Sequence, residues 1–166
     1  MPNGEKARAM RDANLAYQAE FDEGGLGKEP STRVAIVTCM DARINPYRML
    51  GLENGEAHLI RNAGGVISNE VIRSLCLSQR SLGTREIVLI HHTQCGVQGI
   101  DETAFLNELE RETGNRPTWR VYAFDDPFED VRLSMELLRN SPFLPHTDAI
   151  SGFVYDVENG ALLAAG

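Results

Sequence analysis

A chain of 166 residues is the length of one domain, and at that size folding buries about 70% of the surface the unfolded chain would expose. Its 42% hydrophobic and 24% charged residues exclude a disordered or low-complexity protein. Sixteen basic against 24 acidic side chains leave a net charge of −8, which repels phosphate backbones and anionic lipid, so neither nucleic acid nor a membrane is an expected partner.

The segment from Glu5 to about Phe21 is polar and rich in helix formers, a helix with a weak apolar face. Its charges leave no apolar run for a secretory signal or a membrane span, which points to a cytoplasmic protein. Gly and Pro make 24–32 a loop. Residues 1–30 therefore read as an N-terminal helical arm on a single domain spanning 1–166. The arm has too little apolar surface for its own core, so it reads either as a frayed terminus or as an arm that packs on a second subunit.

Residues 33–39, RVAIVTC, are a continuous β-branched run that fits a strand buried on both faces of a parallel sheet. Asn45 is placed to cap a helix that starts at Pro46. A second strand is expected over 57–63, ending in Gly64-Gly65. The helix over 68–83 is capped by Ser68 and stopped by Gly83. A third buried strand spans 86–93, an acidic amphipathic helix 101–114, a fourth strand 119–125 and a further helix 127–140. The Asn159-Gly160 pair between apolar runs signals a hairpin. Strands alternating with helices predict an α/β fold, a mainly parallel central sheet flanked by helices. Ligands bind such sheets beyond the carboxyl ends of the strands.

Two segments at those ends carry chemistry. Cys39-Met40-Asp41-Ala42-Arg43 leaves the first strand and His92-Thr93-Gln94-Cys95-Gly96 the third. Residues at i, i+2 and i+4 of an extended chain share a face, so Cys39, Asp41 and Arg43 can point together. His92 and Cys95, three apart across a strand exit, can reach one point. Two thiolates and an imidazole suit one Zn2+ per chain, and three protein ligands leave the open position of a catalytic site. Asp41 either fills that position as a fourth ligand or pairs with Arg43 and leaves it to water, whose pKa zinc lowers to roughly 7. Cys76, mid-helix among apolar residues, reads as a core residue, and His91, on the opposite face from His92, as a core residue or one that supports the ligands from behind rather than a ligand. His58 and His146 have no partner by spacing. A non-catalytic zinc or sensor protein, with Cys76 or Asp41 as permanent fourth ligand, is the alternative from another class.

These residues resemble the β-class carbonic anhydrases. The resemblance rests on Cys39-x-Asp41-x-Arg43, on Arg61-Asn62-Ala63-Gly64-Gly65, and on His92-x-x-Cys95-Gly96, in family order and spacing from about residue 30 onward. CMDAR, GEAHLIRNAGG and HHTQCG look most like the short bacterial branch that includes mycobacterial members and carbonyl sulfide hydrolases. The resemblance implies a β-carbonic anhydrase fold and reversible hydration of CO2 to bicarbonate by hydroxide on zinc. Cys39, His92 and Cys95 become the metal ligands, Asp41 and Arg43 the catalytic dyad, and the Gly64 and Gly65 backbone the substrate contact. It also implies a homodimer or homotetramer with its site near the subunit interface. Hydrolysis of carbonyl sulfide or carbon disulfide at the same zinc is the closest alternative, because those linear molecules are isosteric with CO2. Gln94 departs from the acidic or small polar residues usual between the His and the Cys, which bears on charge and shape beside the site.

Overall fold

The computed structural model describes residues 4–166. Among them five strands form one sheet: β1 (Val34–Cys39), β2 (Ala57–Asn62), β3 (Glu86–His92), β4 (Ile150–Tyr155) and β5 (Leu162–Ala164). The order is β2-β1-β3-β4-β5; the first four run parallel and β5 pairs antiparallel with β4. From β1 the chain moves to β2 on one side, then crosses to β3 on the other. The carboxyl ends of β1 and β3 are thus the switch point of the sheet, where a crevice opens.

The helices are α1 (Glu5–Glu20), α2 (Pro46–Leu50), α3 (Asn69–Leu82), α4 (Glu102–Thr113) and α5 (Pro127–Arg139). Asn45 and Ser68 cap α2 and α3 by accepting the Arg48 and Val71 amides, and Gly83 ends α3 in the left-handed conformation. None of these helices is long and apolar enough to cross a membrane. The α/β, mainly parallel architecture is the expected one. The core explains it: Val37 and Leu89 from the central strands pack with Leu75 of α3 and with Val131 and Leu138 of α5, all at most 3% exposed. Helix α1 buries no residue; Met10, Leu15, Tyr17 and Phe21 lie open to solvent.

One expected element is absent. Residues 119–125 are not a strand. Tyr122 adopts a left-handed φ of 57°, which breaks extension, and Phe124 makes only an isolated bridge to Gln98. The Phe124 ring instead stacks on His91, centroids 5.0 Å apart. The place beside β3 is taken by 150–155, where the alternating pattern buries Ile150, Gly152 and Val154. Gly152 is needed there, because a Cβ would run into Val131 and Met135 of α5. The hairpin signal at Asn159-Gly160 corresponds to the β4–β5 turn, closed by the Asp156 amide on the Ala161 carbonyl at 2.8 Å.

Candidate metal centre

Cys39 and His92 are the last residues of β1 and β3, and Cys95 lies in the turn that leaves β3. The adjacent ends of the two strands are locked by the buried Thr38 hydroxyl, which donates to the Ile90 carbonyl at 2.9 Å. Adjacent parallel strands therefore deliver two candidate ligands to one point, and the turn returns the third. All three residues are buried, and their ligand atoms lie within 4.8 Å of one another.

The donor set fits zinc. The two sulfurs are 4.0 Å apart; a tetrahedral ion with metal–sulfur bonds of about 2.3 Å sets its sulfurs about 3.8 Å apart. A carbonyl only accepts, so the 2.9 Å contact of His92 Nδ1 with the Thr93 carbonyl places the ring proton on Nδ1. Nε2 then presents a lone pair, and that buried atom has no hydrogen-bond partner among the described residues. A buried polar atom left so costs about 1–3 kcal/mol, which a bound cation removes.

The thiols are also poised. The Cys95 thiol and the His92 ring lie against the Cys39 sulfur, and the Asp41 and Gly64 amides point at it; against burial, these contacts pull the Cys39 thiol down to about 4. The shared proton and burial hold the Cys95 thiol well above its ordinary range. Without metal the pair is thus one thiolate and one thiol.

Asp41 and Arg43 stand at the mouth. Arg43 donates three times to the carboxylate: its amide and Nε to Oδ1, both at 2.9 Å, and Nη2 to Oδ2 at 2.7 Å. These bonds hold Asp41 well below the usual carboxylate range. Asp41 Oδ2 lies 3.8 Å from His92 Nε2, outside the three-atom ligand group; it accepts one bond, from Arg43 Nη2, and keeps a second lone pair for another donor. The structure thus places Asp41 on Arg43 rather than among the ligands.

Gly64 and Gly65 are buried between β2 and the site at φ of 84° and 71°, in the left-handed region. A Cβ on Gly65 would stand 3.0 Å from the Cys39 nitrogen and the Thr38 carbonyl carbon. Only glycine fits so close to the strand that carries a ligand.

The structure adds residues that spacing did not single out. Arg61 reaches from β2 to the Cys39 and Asp41 carbonyls, at 2.9 and 2.8 Å. The Gln94 carbonyl accepts from Arg43 Nη2 at 3.0 Å. Arg61 had a visible signal, its place in the Arg-Asn-Ala-Gly-Gly string. Contacts through a backbone carbonyl leave none. Cys76 packs against the main core cluster, outside the ligand group, so the version of a zinc site that uses it is set aside. His91 lies fully buried on the other face and contacts Asp130 at 2.7 Å. His58 contacts Ser78 at 2.7 Å, and His146 has its backbone clamped by the Gln79 amide; both are remote from the cluster.

Comparison with known proteins decides the family. The carbonic anhydrase profile matches residues 34–119, which include all three candidate ligands. The chain is 49% identical to β-carbonic anhydrase 1 of Mycobacterium tuberculosis over 149 residues, 90% of this chain and 91% of the relative. The chain belongs to the β-carbonic anhydrase family. Among solved structures, carbonic anhydrase from Streptococcus mutans superposes with a TM-score of 0.89 at 42% identity, covering 96% of each chain. A carbon disulfide hydrolase of Acidithiobacillus thiooxidans is 34% identical over 158 residues, 82% of this chain and 79% of the relative. β-Carbonic anhydrases are zinc lyases, and the Cys39–His92–Cys95 group suits that cofactor.

Proposed function

We propose that this chain catalyses the reversible hydration of CO2 to bicarbonate, with zinc held by Cys39, His92 and Cys95. The observation that carries the proposal is the buried, partnerless His92 Nε2 facing two sulfurs 4.0 Å apart, with the Asp41 carboxylate 3.8 Å away. When bound, zinc supplies Lewis acidity that makes hydroxide available near neutral pH. The chain's own residues supply orientation. Asp41, kept anionic by Arg43, accepts a hydrogen bond from the attacking oxygen and turns its lone pair toward the substrate carbon. Arg43 keeps the carboxylate off the metal. The Gly64–Gly65 backbone forms a wall too close for any side chain. Stopped-flow CO2 hydration with full zinc occupancy tests this; turnover at the uncatalysed background rejects it.

The carbon disulfide hydrolase relative supports a second reading, hydrolysis of carbonyl sulfide or carbon disulfide at the same site. A small apolar pocket separates such isosteres poorly, so relative turnover of CO2 and carbonyl sulfide by one preparation decides between them. The proposed assembly is a homodimer or homotetramer. In support, α1 exposes three large apolar side chains and Phe21 just after it a fourth, and a groove of about 610 Å³ beside the site is lined by Val66, exposed Trp119 and Tyr122. Sedimentation velocity giving only an 18 kDa species at micromolar concentration would reject it.

A further inference from the structure

The turn that carries Cys95 is held in an unusual shape. Gln94 has a φ of 55°, in the left-handed region, which a non-glycine residue keeps only when its surroundings over-determine it. Three hydrogen bonds do so, all from β4 and the turn after it. The Thr93 amide donates to the Tyr155 carbonyl at 2.9 Å, and the Val157 amide donates to Thr93 Oγ1 at 3.1 Å. Gln94 Nε2 donates to Glu158 Oε1 at 2.6 Å. Only the last of these fixes the Gln94 side chain.

The Gln94 carbonyl in turn accepts from Arg43 Nη2 at 3.0 Å, and that nitrogen also donates to Asp41 Oδ2 at 2.7 Å. Arg43 is 46% exposed, so water competes for its outer nitrogens. Among the described residues, the Gln94 carbonyl is the one protein group besides Asp41 that its side chain bonds.

We infer that Glu158 is a positioning residue for the Asp41–Arg43 pair, acting through Gln94. The chain Glu158–Gln94–Arg43–Asp41 ends 3.8 Å from His92 Nε2. It runs from the β4–β5 turn to the mouth of the site. Its work is geometric: the Glu158 carboxylate fixes the Gln94 side chain, the turn keeps its carbonyl aimed, and the carbonyl stops the guanidinium from swinging out and releasing Asp41. This rests on the reading of Asp41 and Arg43 as the orienting pair.

The test compares zinc-loaded wild type, Glu158→Ala, Glu158→Gln, Gln94→Ala and the Gln94→Ala/Glu158→Ala double variant. The expected result for Glu158→Ala is a kcat lower by about three- to tenfold, the scale of one lost hydrogen bond, with KM, zinc content and Tm unchanged. Glu158→Gln retains an acceptor oxygen and keeps wild-type kcat, which separates geometry from charge. The double variant is no worse than either single one, because both break the same link. A readout independent of turnover is the 15N-resolved Arg43 Nε–H signal. It is protected from exchange in wild type and Glu158→Gln, and exchanges faster in Glu158→Ala. Unchanged protection and kcat in Glu158→Ala overturn the inference. So does a Glu158→Gln loss as large as that of Ala, or a loss that comes with lost zinc or lowered Tm. A wild type without CO2 hydration, but with Arg43 protection that depends on residue 158, would instead reject the proposed activity and leave the linkage standing.

Discussion

Arg61 Nε donates to the Cys39 carbonyl at 2.9 Å, a bond from one strand to the terminal residue of its neighbour. Its Nη2 does the same for Asp41 at 2.8 Å, so one side chain fixes the backbone on both sides of Met40. Arg61→Ala should lower zinc affinity by about tenfold, through loosened placement of the Cys39 sulfur. Chelator competition measures this, and an affinity equal to wild type would refute the role.

Asp41→Asn leaves the three proposed ligands in place but removes the charge that Arg43 grips. Zinc content should stay at wild-type level while CO2 hydration falls by about 10- to 100-fold. Metal analysis beside stopped-flow kinetics separates the two. The pH dependence has a definite sign. The Asp41 carboxyl is held below its ordinary value of about 3.8, so the pair stabilises the fold fully above that value and loses the contribution as pH falls through the depressed one. A carbon-detected titration that finds the Asp41 midpoint at or above the ordinary value would contradict the bidentate geometry.

Zinc binding should release protons in a predictable number. Near pH 8 the Cys39 thiol, pulled down to about 4, is already a thiolate, while Cys95 keeps the shared proton. Loading metal-free protein should therefore liberate at least one proton per zinc, from Cys95, together with any held by His92, whose proton affinity its contacts with Cys39 raise against burial; affinity should weaken as pH falls and protons compete for sulfur and imidazole. Calorimetry in buffers of different ionisation enthalpy counts them; release of none would mean that the pair is not the binding site.

Gly65→Ala adds a Cβ 3.0 Å from two backbone atoms at a φ of 71°. Backbone cannot yield as a flexible side chain does, so the expected loss is about 2–4 kcal/mol, from the left-handed conformation and overpacking together. Urea denaturation of the zinc-loaded protein reads it, and a change under about 0.5 kcal/mol, the scale of an inert surface substitution, would show that the strand has room.

The central strands were legible because β1 and β3 are buried on both faces, and their unbroken apolar runs announce it. The ligand trio was legible for a related reason: Cys39 and His92 end those runs, and parallel neighbours bring strand ends together. Residues 119–125 misled because WRVYAFD has a strand's composition. Its aromatic residues answer to other partners: Phe124 stacks on His91, and Tyr122 turns left-handed under the Arg120 guanidinium, 5.2 Å from its ring. The bond from Gln94 to Glu158 was not legible, since 64 residues separate them and neither side chain carries an apolar period. Arg43 was legible as Asp41's partner by its spacing of two, but not as a donor to the Gln94 carbonyl, because a main-chain acceptor leaves no mark in the sequence.

The brace that 155–158 applies to Thr93 and Gln94 has a consequence for the order of events during synthesis. Chains fold from the amino end as they emerge, and all three thiol and imidazole donors are made before residue 96. The flank of β3 that faces β4 stays bare until residue 155 follows. A nascent chain can thus meet metal before the turn around Cys95 has its final shape. A ribosome-stalled chain ending near residue 145 should take up zinc loosely and give it up to a mild chelator, whereas one with residue 160 clear of the exit tunnel should retain it.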